Sequence, residues 1–457
     1  MPERLEQYLT QIGEQIRWKR ARSILLRELE NHALEQLDTC LETGLSQEEA
    51  ETETLRQLGD PVKIGQDLDR LHQPKPQWRL LLLTGILVLM GTILQIVLLR
   101  GTGQIDPAKL ILFAALGFGA LTAGYFSNHL LLIRHSKMIY CGAIVLAVIL
   151  MWTTPRINHA SYYTHYVTML YPAVFALLLC RLRGKGWTGM ALSILAIFPL
   201  SVVILLAPRL LDLMVLLISG GVLLLTAAWK DWFCIGCKKG MMCTVGTLFT
   251  GGSTLLWIGN KAVATRLYEV LHPEQDPLGH GYMAMTIRSA LEDTQLWGAG
   301  ELSGQLAGLD YWSVMPEGAN DAFLVTVIHM LGWIPFFLLS GILTALLLWV
   351  MIKILHQKNM AAKFLAMSIL TIFMIHMFMS LMLTFGYVVL GAFCPFLKMS
   401  AETVLDMGLM GILLSVFRQE SLPYDGVFQK PQRPKGRWKL VYVATEECAD
   451  YTYKSLL

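Results

Sequence analysis

The chain has 457 residues, 54% apolar and 16% charged, with a mean hydropathy of +0.50. A soluble globular chain carries roughly 25% charged residues, so this balance marks a membrane protein and excludes a secreted domain, a disordered chain and a nucleic-acid binder. The net charge is only +3 with no aromatic-laced basic block, and eight scattered cysteines make no disulfide scaffold.

Charge is concentrated at the N-terminus. Residues 1–77 hold ten Lys/Arg and fifteen Asp/Glu, and the stretch ends in a proline-rich linker, Gln73-Pro-Lys-Pro-Gln77. Three or four helices are predicted over 3–72. Leu25, Leu26, Leu29, Leu34 and Leu37 recur at helical spacing. Ser46-Gln-Glu-Glu49 is a capping box, Gly59 a helix stop, and Asp60-Pro61 an N-cap with proline at the first helical position. No catalytic or metal constellation occurs here. Ile16-Arg17 with Lys19 and Arg20, Glu28-Leu-Glu-Asn-His32, Gly44-Leu-Ser-Gln-Glu-Glu-Ala50 and Leu58-Gly-Asp-Pro61 together resemble the helical prefix domain that precedes permease-like membrane domains in bacteria. The resemblance implies an accessory cytoplasmic module.

From residue 78 to 418 the chain reads as an all-α polytopic domain. A bilayer span needs about 20 apolar residues. Stretches of that kind occur at 80–99, 110–128, 138–155, 161–180, 186–208, 213–229, 240–260, 322–351, 364–397 and 399–417, which makes about ten transmembrane helices. The run 364–397 is too long for one helix and should cross, then enter a loop near 386–395. The last run carries Glu402 and Asp406. With the N-terminus inside, cytoplasmic loops hold eleven Lys/Arg and the short outer loops five. That bias places both termini, including the tail 419–457, in the cytoplasm and the long connection 259–320 outside.

The outer segment carries Lys261, Arg266 and Arg288 against nine acids, counting Asp321. Trp297, Tyr311 and Trp312 give it the means to pack. Asp321 stands at the mouth of an apolar helix, where a plain helix N-terminal cap is one reading and a site carboxylate the other.

Arg266-Leu267, Pro273-Glu-Gln-Asp276, Gly281-Tyr282, Gly298-Ala-Gly300, Pro316-Glu317, Asp321-Ala-Phe323, Pro395-Phe396-Leu397 and Gly408 to Arg418 follow one another in the order of motifs in the SEDS family, the FtsW/RodA/SpoVE polymerases. The resemblance covers residues 80–418. It implies a ten-span bacterial membrane glycosyltransferase that polymerises lipid II, the undecaprenyl-pyrophosphate-linked disaccharide peptide, into peptidoglycan on the outer membrane face. It also implies a class B penicillin-binding protein as partner, and the catalytic role falls on Asp321. A carboxylate there suits a general base that deprotonates the acceptor sugar hydroxyl. Lys261, Arg266 and Arg288 are candidate cations for the pyrophosphate, and Glu317 and His329 join them as candidate substrate-binding positions. No residue set demands a cofactor; a divalent cation between pyrophosphate and carboxylate is the one the chemistry admits.

The chain departs from the family in several places. Ile328-His329-Met-Leu-Gly332 stands where Glu-Glu-x-Gly is usual, and Lys398-Met-Ser-Ala-Glu402 replaces Ser-Tyr-Gly-Gly-Ser. The Gln-Pro-Ser-Glu set has no match in 162–172, and Pro-Asp-x-Gly-Thr reads Pro208-Arg-Leu-Leu-Asp212. These departures keep two other readings open. One is a lipid-linked sugar flippase using Asp212, Glu402, Asp406 and the histidines; the other is a non-catalytic scaffold or sensor. Cys234-Ile-Gly-Cys237 reads as an ordinary loop, His376 as a satisfied helix–helix contact, and 438–444 as a short strand.

Overall fold

The computed structural model describes residues 3–100, 106–157, 160–161, 163–277, 279, 281–303, 307–315, 321–357, 359–388, 390–391 and 393–420. The 438–444 strand lies outside them. The chain divides into two compact units, one running to Asp69 and the other starting at Arg70.

The first unit contains α1 (Glu3–Gln15), α2 (Lys19–Glu42), α3 (Gln47–Leu58) and α4 (Pro61–Leu71). Local chemistry sets these boundaries. Ser46 and Glu49 exchange the reciprocal capping-box bonds, Gly59 takes φ +90°, and the Asp60 carboxylate accepts from the Val62 amide. Ala21, Leu25, Ala33 and Leu37 form the buried stripe of α2, Leu37 clustering with Cys40 and with Ala50 of α3, while Leu5, Leu9 and Ile12 are buried on α1. Gly65 has no Cβ because one would lie 2.9 Å from the Ile12 carbonyl oxygen.

The second unit comprises α5 (Trp78–Leu98), α6 (Pro107–Phe126), α7 (His129–Arg134), α8 (Ser136–Thr153), the two-residue strands β1 (Arg156–Ile157) and β2 (Ala160–Ser161), α9 (Thr164–Thr168), α10 (Tyr171–Cys180), α11 (Gly186–Leu206), α12 (Leu210–Trp229), α13 (Cys237–Leu271), α14 (Tyr282–Glu292), α15 (Tyr311–Val314), α16 (Phe323–Leu331), α17 (Trp333–His356), α18 (Met360–Thr384) and α19 (Ala401–Arg418). Seven of these, α5, α6, α8, α11, α12, α17 and α18, are long and apolar enough to cross a membrane. Their outer faces expose Leu, Ile, Phe and Trp side chains, as lipid-facing helices do.

The three other expected spans take different forms. The 161–180 run is two helices, because Pro172 has no N–H to offer the Thr168 carbonyl four residues back and instead sits in the first turn of a new helix. The 240–260 run continues unbroken to Leu271, since Lys261 to Leu271 contains no Gly or Pro and Pro273 supplies the stop. At 35 residues α13 is about 52 Å long, well beyond a hydrocarbon core of about 30 Å. Residues 259–271 of the expected connection are therefore helical. The 399–417 run is α19, an apolar helix that carries Glu402, Asp406 and Arg418.

The expected span 322–351 is broken at Gly332, which takes φ +96° and separates α16 from α17. The broken backbone is satisfied by the segment after α14. Gly298 N donates to the Leu331 carbonyl at 2.9 Å and Gly300 N to that of His329 at 2.7 Å, while Trp333 N and Ile334 N reach the carbonyls of Gln295 and Leu296. A Cβ at Gly332 would lie 2.7 Å from the Leu296 oxygen. The described part of segment 272–315 is thus a packed module: Tyr282 Oη donates to the Val314 carbonyl, Tyr311 Oη bonds Thr326 Oγ1, and Trp333 Nε1 donates to Thr294 Oγ1. Burial raises the Tyr311 phenol well above its usual value, so it stays neutral.

The helices α6 and α19 pack along their lengths through glycines. A Cβ at Gly124 would meet the Gly408 oxygen at 2.5 Å, and one at Gly411 would run into the Leu121 oxygen. These are backbone atoms that cannot yield. Gly411→Ala is expected to destabilise the protein by about 1–3 kcal/mol through overpacking, read as a lower midpoint of thermal unfolding in detergent; an unchanged midpoint would show that the helix pair separates freely.

Candidate functional site

The connection from α18 to α19 builds one end of the bundle. Gly386, at φ +78°, ends α18 with Gly386 N on the Leu383 carbonyl and Tyr387 N on that of Met382. The chain then returns through a tight turn at 395–398 in which Phe396 adopts φ +64°, a left-handed conformation that costs a bulky residue of order 1–3 kcal/mol. Both flanks hold it there. Gly91 of α5 lets the Leu397 carbonyl come closer than any Cβ would permit, Gln95 Oε1 accepts from Met399 N at 2.7 Å, and Thr403 Oγ1 of α19 donates to the Lys398 carbonyl.

This turn delivers Lys398 to Asp321. Nζ lies 3.2 Å from Asp321 Oδ1; the lysine side chain is 10% exposed and the aspartate 42%. Asp321 Oδ2 has no hydrogen-bond partner among the described residues and faces Gly391, whose Cβ, if present, would be 3.9 Å away. The cap reading of Asp321 is overturned: Ala322 is the N-cap of α16, and among the described residues no side chain caps that helix.

A second polar pair lies at the starts of α9 and α12. His165 Nδ1 is 3.0 Å from Asp212 Oδ2, and Thr168 Oγ1 donates to the same oxygen at 2.5 Å. Asp212 is 1% exposed and His165 13%. Arg209 Nη2 donates to the Ser161 carbonyl and ties the two connections together. Phe393 packs against both His165 and His376, two residues beyond Gly391. Glu402, in the first turn of α19, interacts electrostatically with both Lys398 and His165. The two pairs are therefore linked through the α18–α19 connection. Beside them an apolar groove of about 220 Å³ is lined by Phe113, Leu116, Tyr166, Ala401, Val404 and Leu405, two of which adjoin His165 and Glu402 in sequence.

The other candidates are dispersed. Lys261 and Arg266 are on the extension of α13, but their side chains lie outside the described residues, as does all of Glu317. Arg288, on α14, lies 5.7 Å over the Tyr387 ring and so touches the same connection as Lys398. His329 is buried, with Nδ1 3.0 Å from the Ala290 carbonyl oxygen and its ring stacked on Tyr311 at 4.4 Å. It pins α16 to α14. His376 is not a satisfied contact: among the described residues neither ring nitrogen has a hydrogen-bond partner, nor does either oxygen of the fully buried Asp406. The Cys234 and Cys237 thiols are both exposed, on a turn whose amides at Ile235 and Gly236 bond the Asp231 carboxylate. Among the described residues no three His, Cys, Asp or Glu converge to hold a metal. An ammonium already occupies one oxygen of Asp321, so no step is assigned to a divalent cation.

Lys398 and His165 are the residues that sequence reasoning missed as site members. Lys398 stood out only as a departure from the family pattern. His165 carried one signal, a lone histidine in an apolar run, and its pairing with Asp212 spans 47 positions.

The fold and this polar end define an all-α polytopic membrane protein with a carboxylate-bearing cluster at one end of its bundle. No family model matches the sequence, and no curated protein matches it. Among solved structures, the chain superposes on a component of a peptidoglycan synthase complex that coordinates polymerization and crosslinking. The TM-score is 0.58 at 17% identity, covering 76% of this chain and 98% of that one. The rod shape determining protein RodA of Thermus thermophilus, in its unaltered form and as a variant, matches at a TM-score of 0.48 with 13% and 14% identity, over 78% of this chain and 98% and 99% of the other. The membrane unit is SEDS-like in fold.

Proposed function

We propose that this chain is a SEDS-type glycosyltransferase that polymerises lipid II at the outer face of the bacterial membrane, in partnership with a class B penicillin-binding protein. The observation that carries this reading is the Asp321 carboxylate, partly exposed, with one oxygen clamped by a buried ammonium and the other open. The adjoining apolar groove suits the prenyl chain of a lipid-linked donor. The fold shared with a peptidoglycan synthase component supports the substrate class.

In this mechanism Asp321 Oδ2 takes the proton of the acceptor sugar hydroxyl as its oxygen bonds the donor's anomeric carbon. The bond from that carbon to the pyrophosphate breaks, and undecaprenyl pyrophosphate leaves with the electron pair, inverting the centre. Arg288 on α14, which lies over Tyr387 of that connection, supplies positive charge for the leaving pyrophosphate together with Lys261 and Arg266 on α13. Purified full-length protein, supplied with labelled lipid II and a class B penicillin-binding protein, is expected to release undecaprenyl pyrophosphate and lengthen glycan strands. Lipid II left unchanged with every partner tried would refute the reading and leave the scaffold reading in its place.

The reading places residues 259–320 outside the cell and both termini in the cytoplasm. Ser303 is buried and bonded to Ser289 and Glu292, so it is a poor site for labelling. Glu274 is exposed. In a background with the exposed Cys141, Cys234 and Cys237 changed to Ser, Glu274→Cys is expected to react with an impermeant maleimide in intact cells. Reaction only after permeabilisation would invert the topology.

A further inference from the structure

We infer that Lys398 is a positioning residue for the base, holding the Asp321 carboxylate by one oxygen so that the other is presented to the acceptor hydroxyl; this rests on the glycosyltransferase reading above.

Three observations converge on it. The first is the contact itself: Nζ to Oδ1 at 3.2 Å, with Oδ2 unpartnered among the described residues and directed at Gly391, which offers no side chain. A carboxylate held by one oxygen loses rotation about its terminal torsion, which is otherwise broad. The second is burial. The lysine side chain is 10% exposed while its partner is 42% exposed. A surface ion pair has both ends in solvent and contributes little. Here the cation is anchored inside the protein and only the carboxylate reaches out, as a support does for the group it presents.

The third observation is the rigidity of the turn. Phe396 is held in a left-handed conformation, Gly91 admits the Leu397 carbonyl, Gln95 binds Met399 N, and Thr403 binds the Lys398 carbonyl. Two side chains, one glycine contact and one strained residue fix the backbone from which the ammonium extends. A lysine that only filled space would need none of this, and methionine would fill the same space without burying a charge. Strain retained next to a partly exposed carboxylate is the pattern of pre-organisation. The residue that interrupts the family's motif therefore serves the candidate base.

The test compares the full-length parent with Lys398→Met, Lys398→Gln, Lys398→Arg, Asp321→Asn and the Asp321→Asn/Lys398→Met double variant in lipid II polymerisation. Thermal unfolding in detergent selects the variants that fold. A misplaced catalytic group costs on the order of 10²-fold, so Lys398→Met and Lys398→Gln should lower kcat by about that factor with KM unchanged. Lys398→Arg should restore most of it, and the double variant should be no slower than Asp321→Asn alone, because Lys398 acts through Asp321. If Lys398→Gln matched the parent while Asp321→Asn was inactive, the positioning role would fail and the glycosyltransferase reading would stand. A change confined to KM, or a further loss in the double variant, would likewise overturn it by making Lys398 an independent substrate contact. An inactive parent, or an Asp321→Asn variant as fast as the parent, would remove both.

Discussion

Asp321→Asn is expected to slow lipid II polymerisation by about 10²–10⁴-fold while the protein still inserts and unfolds cooperatively. That range is what a positioned general base contributes. Asparagine keeps the shape and one carbonyl acceptor for Lys398 Nζ, but it cannot take the proton of the acceptor hydroxyl. A charge near a helix N-terminus would supply only roughly 0.3–1 kcal/mol of stability and nothing to turnover. The structure already separates Asp321 from the cap, since α16 begins at Phe323 with Ala322 as its N-cap. Gel analysis of labelled strands over time reads the rate. A variant that polymerises at the parental rate would return Asp321 to a purely electrostatic role.

The second large effect falls on stability. The Asp212 carboxylate is 1% exposed and accepts from both His165 and Thr168 through one oxygen. His165→Leu leaves that carboxylate with Thr168 alone. Breaking a buried pair in this way costs about 3–5 kcal/mol, whereas replacing both partners by apolar side chains is often neutral or stabilising. His165→Leu is therefore expected to lower the unfolding midpoint sharply in detergent, and His165→Leu/Asp212→Leu to recover most of the loss. Equal midpoints for parent and single variant would show that the pair contributes nothing. An additive loss in the double variant would show that each residue acts alone.

Much of the fold was readable from residue pattern. The capping box at Ser46 and the stop at Gly59 are local hydrogen-bond chemistry, and they stand where the sequence put them. Seven spans follow from length and apolarity alone. The remaining boundaries depended on tertiary partners. Gly332 is a tolerable residue inside an apolar helix by propensity, and it becomes a break only because residues 295–300 lie against it and satisfy the freed backbone groups. Lys261 to Leu271 is polar enough to read as loop, yet helix propensity without a breaker carries α13 through it.

The site was legible in part for the same reason. Asp321 stood out because an acid at the mouth of an apolar run is conspicuous. Its partner is 77 residues away and arrives through a turn held by α5 and α19, a contact that no periodicity encodes. His329, read as a candidate substrate-binding position, is held by the Ala290 carbonyl and the Tyr311 ring. A single histidine in an apolar run gives no sign of which face it takes.

One comparison bears most directly on the central claim that the Asp321 carboxylate is the base of a lipid II polymerase. Parent, Asp321→Asn and Asp321→Glu are reconstituted at matched incorporation in vesicles containing labelled lipid II and the same partner penicillin-binding protein, and the initial rates of lipid II consumption are taken together. The parent is expected to be active, the Asn variant slower by about two to four orders of magnitude, and the Glu variant between them, because glutamate retains the base but moves it relative to Lys398. Equal rates for the parent and Asp321→Asn would contradict that claim.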